Sequence, residues 1–193
     1  IKCGKGTTAV CCTKGSICTA DGDAMGQCYD AKSNGSECAT NTDCTGEGEF
    51  CYFSDYTAKA TAGTQCNVPK GGTCTPISNY MGGVAANGAF TGWTYANTNM
   101  NWWSANNWCQ ALPGNLHLVT KDEVNTAVAN FTGETATNET RVNALTAMFG
   151  EAQGIWTSTP SSTSCYAYVV GSSGNVSGDV FSRNGNARPV CRG

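Results

Sequence analysis

Charge is what this sequence has least of. Only 13% of its 193 residues are charged, with 11 Lys and Arg against 14 Asp and Glu, where an ordinary globular domain carries about 25%. Lys and Arg nowhere form a run, so the electrostatic footprint needed on nucleic acid or an anionic membrane is missing, and neither is expected as a partner. Histidine is nearly absent too. His117 stands alone, which leaves imidazole-based metal sites and Ser/Cys–His catalysis a single residue to draw on. No stretch of about 18 apolar residues occurs, so no direct membrane span is expected in this chain. No signal peptide is visible, and because the chain opens abruptly at Ile1, a removed targeting segment or anchor is expected upstream.

Cysteine is what the sequence has in excess. Thirteen thiols would be a liability in a reducing compartment and serve as staples in an oxidising one, which points to an extracellular or cell-surface location. Ten fall between Cys3 and Cys74, and only Cys109, Cys165 and Cys191 come later. Residues 1–76 therefore read as a disulfide-rich module with loose internal repeats, CYDAKSNGSEC at 28–38 against CYFSDYTAKATAGTQC at 51–66. The module lacks the apolar runs of a core, so cross-links must restrict its unfolded state. Zinc ligation by these cysteines gives way to disulfides, because paired CxxC knuckles are missing and His117 is remote. Between Cys74 and Phe90 the small, Gly-rich TPISNYMGGVAANGAF is either a linker or an irregular edge of the second half of the chain.

Residues 77–193 read as a second, α+β domain. WTYA at 93–96 is a short strand. A helix from Trp102 or Trp103 to Leu112 comes next, ended by Pro113-Gly114. NLHLV is a strand alternating Leu116 and Leu118 with His117. Thr120 and Glu123 are spaced as a capping box for a helix that carries Val124, Ala127, Val128 and Phe131 and stops near Gly133. Val142, Leu145, Met148 and Phe149 mark another helix, ending at Gly150. IWTST, CYAYVV, NVSGDVFS and ARPVCR then read as strands of an antiparallel sheet with helices to one side.

The order WWSANNWCQAL, NLHLVTKDEV, GIWTST, CYAYVV, RPVCRG resembles the C-type-lectin-like fold, and within it the bacterial secreted and surface branch, including collagen-like adhesin C-terminal domains and the Fibrobacter major-protein domains. Trp102, Ala105 and Cys109 match the family's helix motif, Leu118 to Glu123 its second motif, Trp156 to Thr159 its third and Arg188 to Arg192 its last. The resemblance covers roughly residues 90–193. It implies a structural disulfide between Cys109 and Cys191. Cys165 is then left over, to be free and buried, bonded to another chain, or crossed to the first module. The E-P-N or Q-P-D loop and W-N-D strand of the calcium-dependent sugar binders do not occur. No cofactor or metal site is therefore expected. Calcium is the one ion for which residues can be named, Asp21 and Asp23, whose CTADGDAMG setting lacks the Gly and terminal Glu of a calcium loop.

These residues describe a non-enzymatic surface protein, an adhesin or ligand-recognition module for a glycan or a host or surface protein. Tyr166, Tyr168, Arg183, Asn184, Asn186 and Arg188, on the last strands and their turn, are the candidate ligand-binding residues. The alternative is a structural subunit of a surface filament or pilus that self-associates through a segment outside this chain. Asn130, Asn138 and Asn175 lie in N-x-S/T triplets and would carry glycans where the machinery exists. In the helix NWWSANNWCQAL, Trp102, Ala105, Cys109 and Leu112 form the expected inward stripe, while Trp103 and Trp108 flank it and stay undecided between core and surface.

Overall fold

A computed structural model describes residues 35–57, 66–86 and 88–193, together with the backbone of four short strands nearer the N-terminus. Those strands are β1 (Lys2–Cys3), β2 (Val10–Cys11), β3 (Ile17–Thr19) and β4 (Gln27–Tyr29), paired antiparallel as β1–β2 and β3–β4. The rest of the Cys3 to Cys28 region, with Asp21 and Asp23, lies outside the described residues.

β5 (Glu49–Thr57) and β6 (Val68–Pro76) form a long antiparallel hairpin. Its bracing is covalent: Cys38 bonds to Cys51 and Cys44 to Cys74. Segment 74–90 then forms β7 (Met81–Val84), the irregular edge strand of a four-stranded sheet ordered β7, β8 (Thr94–Ala96), β13 (Val190–Arg192), β9 (His117–Leu118). A second antiparallel sheet runs β10 (Ile155–Pro160), β11 (Tyr166–Val170), β12 (Val176–Val180). The last four strand segments thus divide. β13 leaves the sheet of its neighbours to lie between β8 and β9, and an isolated parallel bridge between Ile155 and Arg188 holds the two sheets together.

The helices begin and end where side chains satisfy their termini. In α1 (Trp102–Ala111) the Asn101 side chain accepts the Ser104 amide. α2 (Lys121–Thr132) carries the Thr120/Glu123 capping box and ends at Gly133 with φ 75°, a left-handed cap that favours glycine. α3 (Asn138–Phe149) starts at Thr137 and ends in the same way at Gly150.

The central strands are buried on both faces, so successive residues serve different cores. Trp156, Leu118 and Cys191 join Trp108, Met100 and Ala105 in one cluster. Ile155, Val119 and Val190 join Val124, Val128, Leu145, Phe90 and Trp93 in another. Phe50, from the cysteine-rich half, and Ile77, just after it, belong to the Trp108–Trp156 cluster. Buried indoles find carbonyls: Trp156 Nε1 donates to Met100 O at 2.7 Å and Trp108 Nε1 to Ile77 O at 3.3 Å. Trp108, undecided from sequence, is fully buried, whereas Trp102 is half-buried, stacks on Phe181 with ring centroids 4.4 Å apart, and donates to Thr157 O.

The outer edge of β5 is closed by side chains instead of a strand. Phe53 N donates to Ser104 Oγ at 2.9 Å, and Phe53 O accepts from Asn101 Nδ2 at 2.8 Å. Two residues earlier, Cys51 N donates to Asn41 Oδ1 at 2.9 Å and Cys51 O accepts from Asn107 Nδ2 at 3.0 Å. An exposed strand edge is a template for unwanted pairing; here α1 covers it with amides and a hydroxyl. The molecule is accordingly a mixed α+β fold with antiparallel sheets, three α-helices among the described residues and four disulfides among them.

Candidate functional site

Cys109 on α1 is bonded to Cys191 on β13, across a sequence separation of 82. Cys165 crosses to Cys66, linking the start of β11 to the cysteine-rich half. With Asn67 Nδ2 donating to Ser182 Oγ at 3.1 Å, this bond fixes the strand β12 and the turn after it, where the candidate ligand residues lie.

Cross-strand register decides which of those residues can act together. Ala167 faces Asp179 and Val169 faces Ser177, whereas Tyr168 faces Gly178 and Tyr166 faces Val180. Directly paired residues share a sheet face. Tyr166 and Tyr168 therefore stand on the face opposite Asp179. Tyr168 has the Lys121 ammonium 4.6 Å from its ring centroid, and Tyr166 borders the Cys66–Cys165 bridge.

Asp179 organises the other face. Its Oδ1 accepts from Arg183 Nε at 2.8 Å and from the Val180 amide at 2.8 Å, while its Oδ2 accepts from Asn186 Nδ2 at 3.1 Å. The Arg183 side chain is 53% exposed. Asp179 and Asn186 border a polar hollow of about 270 Å³, whose lining also includes Ser173, Asn175 and Ser177. The glycine turn shapes it: Gly174 sits at φ 77°, and a Cβ there would run into the Asn138 carbonyl. Arg141 secures that approach, donating to Gly174 O at 3.1 Å, Asn125 Oδ1 at 2.9 Å and Ala136 O at 3.2 Å.

Asn184 and Arg188 are engaged elsewhere. Asn184 Oδ1 accepts from Asn101 Nδ2 at 2.9 Å. Arg188 lies over the Phe149 ring at 5.6 Å, burial lowers its pKa, and its Nε is buried without a partner among the described residues. Of the six candidates, then, Arg183 and Asn186 converge, and the residue that joins them is Asp179. Its signal in the sequence was the acid at i–4 from Arg183 and seven before Asn186, on a strand whose neighbours are Ser and Gly.

Asn130, Asn138 and Asn175 are all exposed. Asn138 Oδ1 accepts from Arg141, and Asn175 Oδ1 from Ser173 Oγ at 2.7 Å. The sulfur atoms of Cys38, Cys44 and Cys51 lie within 4.8 Å of one another, but each is spent in a disulfide, so no thiolate is left there for a metal. His117 Nε2 lies 3.1 Å from Glu123 Oε1. That carboxylate also accepts the Thr120 amide at 2.7 Å. Among the described residues, no helix is long and apolar enough to cross a membrane. No family model matches the chain, and no curated protein or solved structure matches it either.

Proposed function

We propose that the protein is a non-enzymatic extracellular recognition module, a C-type-lectin-like domain carrying a disulfide-rich N-terminal module, which binds a glycan or a polar protein surface through the Asp179 face. Support for the lectin-like reading comes from the helix-to-last-strand disulfide Cys109–Cys191, from β13 lying between β8 and β9, and from Trp156 buried on β10. The disulfides and the low charge suit an oxidising exterior.

One observation carries the binding reading: Asp179 and Asn186, hydrogen-bonded to each other, line a polar hollow, with Arg183 paired to the same carboxylate, on a strand whose partner β11 begins at the Cys66–Cys165 bond. Donors held in place by a second set of contacts lose little entropy on binding. The test is retention of the intact protein on glycan and surface-protein arrays, beside Asp179→Ala. Binding by the wild type and a loss of about tenfold or more in the variant, or about 1.4 kcal/mol, is the expected result. A flat wild-type array, or undiminished binding by Asp179→Ala, sinks it.

A subunit of a surface filament is the second reading. It is favoured by the unpaired outer edge of β7, which exposes Met81 and Val84 at 39% and 61%.

A further inference from the structure

We propose that the cleft between α1 and the β5–β6 hairpin is a second binding site, and that it takes a neutral saccharide. It shares no lining residue with the Asp179 hollow. Its volume of about 380 Å³ falls in the range of small-molecule sites, roughly 300–1,000 Å³.

The helix supplies one wall. Trp103, Asn106, Asn107 and Gln110 recur at i, i+3, i+4 and i+7, a stripe turned away from the one that carries Ala105 and Cys109. Thr40, Thr42 and Pro69 stand opposite, above buried Phe53, and no charged side chain lines the space. An acidic glycan would find no cation there. Nor would a basic peptide find an anion.

Hydrogen-bonding capacity divides into two sets. Asn41, Asn101, Ser104 and the Asn107 amide nitrogen are spent on the seam with β5, which fixes the floor of the cleft. The side-chain amides of Asn106 and Gln110 and the indole N–H of half-buried Trp103 have no partner among the described residues. Trp103 is itself held, packed against the Cys38–Cys51–Cys74 cluster and edge-on to Phe181 at 6.3 Å. A pyranose presents an apolar C–H face to an aromatic ring and hydroxyls that both donate and accept, which is what a carboxamide can answer on both sides. Aromatic body, paired donor and acceptor groups, and absent charge together specify an uncharged sugar, bound by a surface ordered before the ligand arrives.

The experiment titrates the intact protein with neutral cello-, malto-, xylo-, manno- and chito-oligosaccharides, following tryptophan fluorescence and amide NMR shifts up to about 10 mM, beyond the weak end of millimolar affinity. At least one series is expected to bind with a dissociation constant of about 1 mM or tighter, little changed by salt. The Asn106→Ala/Gln110→Ala variant, altered at side chains that bond to nothing else described, is expected to keep the wild-type melting temperature and lose about tenfold or more in affinity. The amide shifts are expected on α1 and the β5–β6 hairpin and not around Asp179, which separates this site from the first. Silence from every neutral series, shifts with sulfated glycans or proline-rich peptides alone, or full affinity in the double variant would each overturn the proposal.

Discussion

Glu123 shows how much one side chain can hold at once. Burial raises its pKa, but the Thr120 amide, the His117 ring and the Thr120 hydroxyl together outweigh that, and the carboxyl ends below its ordinary value of 4.5. A carboxyl whose folded pKa is depressed adds stability that is complete above its unfolded value and disappears as pH falls through the folded one. Glu123→Gln is therefore expected to melt below the wild type near about pH 7, with the gap narrowing toward about pH 3. Thermal melts across that range check it; a gap that stays constant would falsify the assignment. The capping box was plain in the sequence, since Thr and Glu three apart before an apolar stripe have few other readings. The tryptophans of α1 were harder. Trp108 lies three residues after Ala105 and four before Leu112, so it shares their buried side, whereas Trp102 occupies the first turn, packs at the margin of the core and stacks on Phe181. Which ring meets the core depended on a partner 79 positions away, and helical periodicity carries no information about it.

Elements meet here through amides as much as through apolar packing. Asn101 caps α1 by accepting the Ser104 amide at 2.9 Å, and its Nδ2 donates to Phe53 O and to Asn184 Oδ1. It is 1% exposed. Asn101→Ala removes a helix cap, worth about 1 kcal/mol, and strips donors from buried acceptors, at about 1–3 kcal/mol. A loss of about 2–4 kcal/mol in urea unfolding is expected; a loss below about 0.5 kcal/mol, typical of plain surface sites, would contradict the seam. Helices and most strands could be placed from spacing, because each answers to a period of 3.6 or 2. Their sheet membership could not. β13 reads like the strands before it, yet it pairs with β8 and β9, and β9 is only two residues long. Pairing of that kind is fixed by contacts across about 75 to 95 residues of chain, which no local pattern encodes.

At the scale of the molecule, composition spoke clearly for a cross-linked protein suited to an oxidising exterior, while the proposed binding surfaces stayed hidden for a geometric reason. The candidate residues on the last strands lie close together in sequence, but alternation puts the two tyrosines on the sheet face away from Asp179. Trp103, Asn106 and Gln110 were visible as letters, and only the hairpin folded against them makes a cleft. Assembly is the other question of this scale. The recognition reading expects a monomer at every concentration in sedimentation, because Gly82 and Gly83 and its length of four residues leave β7 a poor template. A concentration-dependent ladder abolished by Val84→Lys would move the weight to the filament reading.

The bond from Cys66 to Cys165 spans 99 positions. A chain pulled from a point between Cys51 and Cys66 and another between Cys165 and Cys191 would pass its tension through that one S–S link, and the residues it encloses would add nothing to the extension. At about 3.3–3.6 Å per residue, roughly 330 Å of contour is taken out of reach. The helix α1 and the strands β6 to β10 lie in the enclosed span and stay out of that line of tension, whereas the Asp179 hollow lies beyond it.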